Sequence, residues 1–136
     1  FWRLFLASTT PCYFIYCRHP NIVSYFGSGF SNSSDGEPRQ FLVLEYLSGG
    51  MLLSMIKHQW KPFPKRKVLE IGKSLASALY HLHEGFHSAV TLIHRDLKPD
   101  NIGFTSTGVL KLMDFGLCAV VKRRSTTTET YEMSGK

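Results

Sequence analysis

Cysteine is scarce in this chain. Its 136 residues hold three, Cys12, Cys17 and Cys118. An odd number without framework spacing excludes a secreted disulfide scaffold and reads as free thiols in a reducing compartment. Long apolar runs are also missing. The most apolar stretch, residues 1–17, is broken by Arg3, Ser8-Thr9-Thr10 and Pro11, which argues against a membrane span and against a well-formed signal peptide. Acidic residues are few, 10 against 16 Lys and Arg, for a formal net charge of +6. None precedes Asp35, and no Lys precedes Lys57. The cations are scattered except at Lys65-Arg66-Lys67 and Lys122-Arg123-Arg124. They read as solvated surface with phosphate groups as the relevant anions, so neither nucleic acid nor membrane is expected as a partner. No internal repeat or low-complexity segment occurs. The first residue is Phe1 rather than Met, which reads as a chain that does not open at a translation start.

What is present is globular in character. Hydrophobic residues make up 43%, with 10 Phe and 6 Tyr, and the length suits one modest domain. Ile22 to Phe30 reads as a strand loosened at its end by Gly27 and Gly29. A polar loop with an Asp35-Gly36 turn follows, over Ser31 to Arg39. Gln40 to Leu47 is nearly all apolar and reads as a strand buried on both faces. Met51 to His58 suits a short helix, and Pro62 and Pro64 mark the next boundary. From Lys65 to Glu84, Val68, Ile71, Leu75, Leu79 and Leu82 recur at three and four residues, predicting an amphipathic helix that Gly85 ends. His81, His83 and His87 match no common zinc spacing and read as solvated.

The most informative stretch is His94-Arg95-Asp96-Leu97-Lys98-Pro99-Asp100-Asn101, followed by Asp114-Phe115-Gly116. Between them, Ile102 and Phe104 precede a Ser106-Thr107-Gly108 turn, and Leu110, Leu112 and Met113 follow it. That pattern predicts a hairpin. Its two ends would carry Asn101 and Asp114 into one small volume, with Asp96 and Lys98 on the loop before. Oxygen ligands, an ammonium and a carboxylate able to orient a hydroxyl are what a metal-bound phosphate requires.

These motifs resemble the catalytic loop and the Asp-Phe-Gly metal site of eukaryotic protein kinases. The resemblance implies that Asp96 is the catalytic base and that Lys98 reaches the transferring phosphate. It makes Asn101 and Asp114 the Mg²⁺ ligands, and His94 and Phe115 the packing residues between the two loops. It extends upstream. His19-Pro20-Asn21-Ile22-Val23 is similar to the turn leading into the fourth kinase strand, and Glu45-Tyr46-Leu47-Ser48-Gly49-Gly50 to the hinge between lobes. The Glu45 carbonyl and Leu47 amide would then pair with adenine, with Leu44 as gatekeeper. Downstream, Leu117 to Tyr131 resembles the start of an activation segment. Ser125, Thr126, Thr127, Thr128 and Thr130 are its candidate phosphorylation sites, and Arg95 is the residue that would pair with such a phosphate. Cys118 reads as a small packing residue rather than a reactive thiol.

The resemblance implies a Ser/Thr kinase, since Lys98 follows Asp96-Leu97, with a weaker likeness to the tyrosine-kinase-like and MAP-kinase-kinase-kinase-like branches. ATP and Mg²⁺ would be used, with a protein substrate, an upstream kinase and a cytoplasmic setting. The expected fold is α+β, a partial two-lobe kinase fold. Residues 1–18 are unassigned; 19–44 form upper-lobe strands, 45–50 the hinge, 51–116 the lower lobe with its catalytic and metal loops, and 117–136 the start of the activation segment. Within these 136 residues there is no Gly-x-Gly-x-x-Gly loop, and neither the phosphate-clamping Lys nor its Glu partner. Met51 stands where many kinases have a polar residue for the ribose, and Gly103 where many have an aliphatic floor for adenine. A competing reading is a binding module, pseudokinase-like, without phosphoryl transfer.

Overall fold

The computed structural model describes residues 16–32 and 37–123. The 1–15 stretch, the Asp35-Gly36 turn and the hydroxyls Ser125, Thr126, Thr127, Thr128 and Thr130 lie outside the described residues. The arrangement is α+β. Strands β1 (Tyr25–Asn32) and β2 (Pro38–Leu44) form an antiparallel pair. Helices α1 (Leu52–His58) and α2 (Lys65–Tyr80) follow, and α2 widens into a single π-type turn at His81–Gly85. Next come β3 (Val90–Ile93), a 3-10 turn at Pro99–Asn101, then β4 (Ile102–Phe104), β5 (Leu110–Leu112) and β6 (Ala119–Lys122). β4 pairs antiparallel with β5, and β3 with β6.

The hairpin forms where its turn chemistry predicts. Gly108 takes a φ of 82°, the left-handed conformation a tight turn needs and glycine supplies without strain. The Thr105 side chain closes the turn by accepting from the Val109 amide at 3.0 Å. Helix α2 starts directly after Pro64, whose missing N–H is no loss at a helix start. Burial along α2 is uneven. Ala78 is fully buried and Leu82, in the π-type turn, with it, whereas Val68 is 53% and Leu69 72% exposed. Among the described residues the apolar stripe meets the core from Ile71 onward, with full burial reached only at Ala78 and Leu82.

Two strands depart from expectation. The first begins at Tyr25, not Ile22. Residues 21–23 instead lie on the free edge of β5: Val23 N–H donates to the Leu112 carbonyl at 2.9 Å and Leu112 N–H to the Asn21 carbonyl at 2.8 Å. The second ends at Leu44, and no residue of β2 is fully buried. A two-stranded ribbon leaves at least one face to solvent, so apolar content alone did not bury it. After Leu44 the chain turns onto β4. Gly49 N–H donates to the Phe104 carbonyl and Phe104 N–H to the Gly50 carbonyl, both at 2.9 Å. The approach is close enough that a Cβ on Gly49 would lie 2.2 Å from the Thr105 carbonyl oxygen. The core surrounds the hairpin, with Ile22, Leu82, Leu92, Phe104 and Leu112 at its centre.

Candidate active site

The register of the hairpin builds the site. Ile102 pairs with Leu112, so the next rung joins Asn101 to Met113, whose N–H donates to the Asn101 carbonyl at 2.9 Å. Asn101 and Asp114 thus leave the same end of one hairpin. His94 ties the preceding loop to that end. Its Nε2 lies 3.1 Å from the Met113 carbonyl, and its Nδ1 accepts from the Asp96 amide at 3.3 Å. A carbonyl can only accept and an amide only donate, so these partners assign the neutral tautomer with the proton on Nε2. Burial lowers the His94 pKa, in agreement with a neutral ring. The ring also meets Phe115 edge-on, centroids 4.9 Å apart.

Asp96 is held from two sides. Lys98 Nζ is 2.6 Å from its Oδ2, and Asn101 Nδ2 donates to both its Oδ2 and its carbonyl oxygen at 2.9 Å. The Lys98 hydrogen bond, aided by Asn101, holds the carboxyl below the usual carboxylate range, while the same bond raises Lys98. Both groups are therefore charged at neutral pH. Asn101 is buried, and both donor bonds of its amide nitrogen go to Asp96, which leaves its oxygen as the group it offers a cation. Asp114 sits at φ 64° and accepts from Gly116 N–H at 3.3 Å; Arg95 sits at φ 65°. Two non-glycine residues in the left-handed region flank one loop pair, as is common where local strain serves a site. Arg95 Nε donates to the Leu117 carbonyl, joining this loop to the segment after Phe115. Hard oxygen donors from one carboxylate and one amide beside a lysine fit a Mg²⁺–phosphate group, a cation usually held by few protein ligands plus phosphate oxygens.

The hinge-like residues come close to the same hairpin. Leu44 ends β2 opposite Tyr25. Among the described residues, the Glu45 carbonyl and Leu47 amide form no hydrogen bond, while the Glu45 amide donates to the Ser24 carbonyl at 2.8 Å. Gly103 is covered: a Cβ built there would lie 2.6 Å from Leu47 Cδ1 and 3.2 Å from Met51 Sδ. Leu47 and Met51 thus fill the volume an aliphatic residue 103 would take.

Three features have no forerunner in the sequence pattern. Lys111 in β5 is 8% exposed and pairs with Glu45 Oε2 at 2.9 Å. His81 is not simply solvated; it stacks on His19, centroids 5.1 Å apart, because His19 lies against the end of α2, where its Nε2 also meets Ser77 Oγ at 3.1 Å. Arg123 does not belong to a solvated basic run, since it pairs with Glu84 at 2.9 Å and donates to the His83 carbonyl. None of these had a local signal; each joins residues far apart in the chain. Cys118 is buried and burial pushes its thiol up to about 11, that of a packing residue. Among the described residues, no helix is long and apolar enough to cross a membrane.

The model of the family described as protein kinase domain matches residues 13–134. Over 118 residues the chain is 32% identical to serine/threonine-protein kinase PknB of Mycobacterium leprae (strain TN), covering 87% of this chain and 18% of that protein. It is 35% identical over 115 residues to mitogen-activated protein kinase kinase kinase nsy-1 of Caenorhabditis elegans, covering 83% and 7%. It is 34% identical over 112 residues to mitogen-activated protein kinase kinase SIPKK of Nicotiana tabacum, covering 82% and 29%. The chain thus spans less than a third of the length of each of these relatives.

Proposed function

The chain belongs to the protein kinase family, and on that premise we propose that it carries the catalytic centre of a protein serine/threonine kinase. The observation that carries the proposal is the grip on Asp96, whose Oδ2 meets Lys98 at 2.6 Å and Asn101 at 2.9 Å, on the loop that the hairpin places beside Asp114. Asp96 orients the acceptor hydroxyl and takes its proton as the oxygen bonds to the γ-phosphorus of ATP, while the bond from that phosphorus to the β,γ-bridging oxygen breaks and ADP leaves with the electron pair. Its carboxyl, held below the usual range by Lys98, is ionised at neutral pH and so can accept and orient the hydroxyl. Lys98 brings positive charge to the transferring phosphoryl oxygens. Asn101 and Asp114 would hold Mg²⁺, which when bound offsets the charge of the phosphates. The Glu45 carbonyl and Leu47 amide receive the adenine edge, beneath Leu44. His94 stays neutral and keeps the Asp96 loop in register with Met113. Catalysis here is positioning and electrostatics, which suits a site built from hydrogen-bonded loops rather than from a reactive side chain.

The test is Asp96→Asn in the protein as its own gene encodes it. Phosphate transfer to a protein hydroxyl should fall by about 10²-fold or more while ATP still binds; near-normal turnover would sink the assignment. Substrate proteins, an upstream kinase and a cytoplasmic setting belong to the same proposal. So does regulation through Arg95 by a phosphate on Ser125, Thr126, Thr127, Thr128 or Thr130, supported by Arg95 already meeting the Leu117 carbonyl at the start of that segment. Arg95→Ala should abolish any rise in activity on phosphorylation; an undiminished rise would exclude this route.

A further inference from the structure

We propose that Lys111 is a positioning residue that couples the hinge-like stretch 45–50 to the catalytic hairpin through the side chain of Glu45. The geometry is a convergence of three segments on one carboxylate oxygen. Glu45 Oε2 accepts from Lys111 Nζ at 2.9 Å, from the Ser24 amide at 3.1 Å and from Ser24 Oγ at 3.0 Å. Lys111 Nζ also lies 3.4 Å from the Ile22 carbonyl. Beside it, Asn21 Nδ2 donates to the Leu110 carbonyl at 3.0 Å. The stretch 21–24, the first residue after β2 and strand β5 are therefore closed around a single ion pair.

The pair is far from a surface decoration. Lys111 stands in a strand whose three residues are all buried. A lysine in that setting is tolerated only when its charge is matched. Burial works to raise the Glu45 pKa, yet the hydrogen bonds from Lys111 and Ser24 prevail and hold it below the ordinary value, so the carboxylate stays charged. Its position gives it a consequence. Glu45 is where the chain leaves β2 to form the proposed base-binding backbone, and Lys111 lies three residues before Asp114. The two ends are not equally secured without it. Met113 remains bonded to Asn101 and Asp114 to Gly116, whereas Glu45 would keep only its bonds to Ser24, from its amide and to its carboxylate, and would lose its link to β5. Loss of the pair should therefore free the hinge side more than the metal side.

The consequence for nucleotide rests on the kinase reading above; the coupling itself does not. The test compares Lys111→Met, Glu45→Gln and Lys111→Arg with the wild type, in the protein as its own gene encodes it. The first readout is amide hydrogen exchange without nucleotide. In Lys111→Met, the Glu45 and Gly49 amides should exchange about tenfold faster while those of β3 and β6 keep their protection, the mark of a local opening. Glu45→Gln should do the same, the double variant no more than either single one, and Lys111→Arg should restore most of the protection. Unchanged Glu45 and Gly49 amides, or equal acceleration through β3 and β6, would overturn the proposal. Should Lys111→Met fail to fold, Glu45→Gln, which keeps size and an acceptor oxygen, decides between the same two outcomes. The second readout is phosphate transfer. The KM for ATP should rise in Lys111→Met with kcat within about twofold, as expected for lost uniform binding; an unchanged KM beside loosened hinge amides would overturn the link to nucleotide. If the hinge loosens as stated and the wild type itself transfers no phosphate, the kinase reading fails and the coupling stands.

Discussion

Two strand pairs in this chain are both antiparallel and both apolar, yet they behave in opposite ways. The β4–β5 hairpin is built from strands of three residues, and all six residues are buried. The β1–β2 ribbon has strands of eight and seven residues, with three Phe, two Leu and a Val between them, and none is fully buried. Length favours the ribbon; partners favour the hairpin. Helix α1 packs on β4 and α2 on β5, and residues 21–23 add a further rung along β5. Lys67 of α2 even lies over the Phe104 ring, 5.2 Å from its centroid. Among the described residues the ribbon meets the core only along one edge, through the partly buried Tyr25, Leu42 and Leu44. Burial is thus a property of what surrounds a strand, and the site sits on the pair that is surrounded.

The contrast is most easily broken by truncating one phenylalanine on each side. Phe104→Ala should cost about 3–5 kcal/mol, since it empties a fully packed position, whereas Phe30→Ala, 72% exposed, should cost less than about 0.5 kcal/mol. Urea unfolding of both variants decides it, and equal costs would mean the ribbon is as well packed as the hairpin. A smaller contrast comes from glycine. Gly49→Ala would press a methyl against the Thr105 carbonyl and should cost about 1–3 kcal/mol, while a Cβ on Gly27 of the ribbon meets nothing within 4 Å. Comparable losses at the two positions would show that the seam between residue 49 and β4 is less tight than its distances imply.

The smallest effect is a pH slope that the hairpin side has and the ribbon lacks. His94 has its folded pKa below the ordinary 6.5, so the unfolded chain takes up the extra proton first. Its contribution is complete above pH 6.5 and is lost as pH falls from there toward the lowered folded value, at no more than about 1.4 kcal/mol per pH unit. His19, lowered by burial and then by His81, adds a slope of the same sign. No histidine lies in β1 or β2. Urea midpoints measured at pH 7.5 and 5.5 should fall with acid, and His94→Gln should flatten part of that fall. A midpoint that rose with acid would contradict the neutral tautomer assigned to His94.

The sequence by itself determined the local elements around the site. Pro64 and Gly85 bracket the long helix, Ser106-Thr107-Gly108 makes the hairpin turn, and the order of His94, Asp96, Lys98, Asn101 and Asp114 places donors and charges at that hairpin's open end. These signals are short in range: a missing N–H, a left-handed φ, an alternation over three or four residues. Only the tertiary structure decided what those elements lean on. Asn21 and Leu110 are 89 positions apart, as are Ile22 and Lys111, and no local preference of either residue announces the meeting. The same holds for His19 on His81, for Arg123 on Glu84 and for Lys111 on Glu45. A buried charge can be read from sequence only as a lysine in a strand. Which carboxylate meets it depends on how the whole chain closes, because desolvation makes the pairing obligatory without saying which partner supplies it.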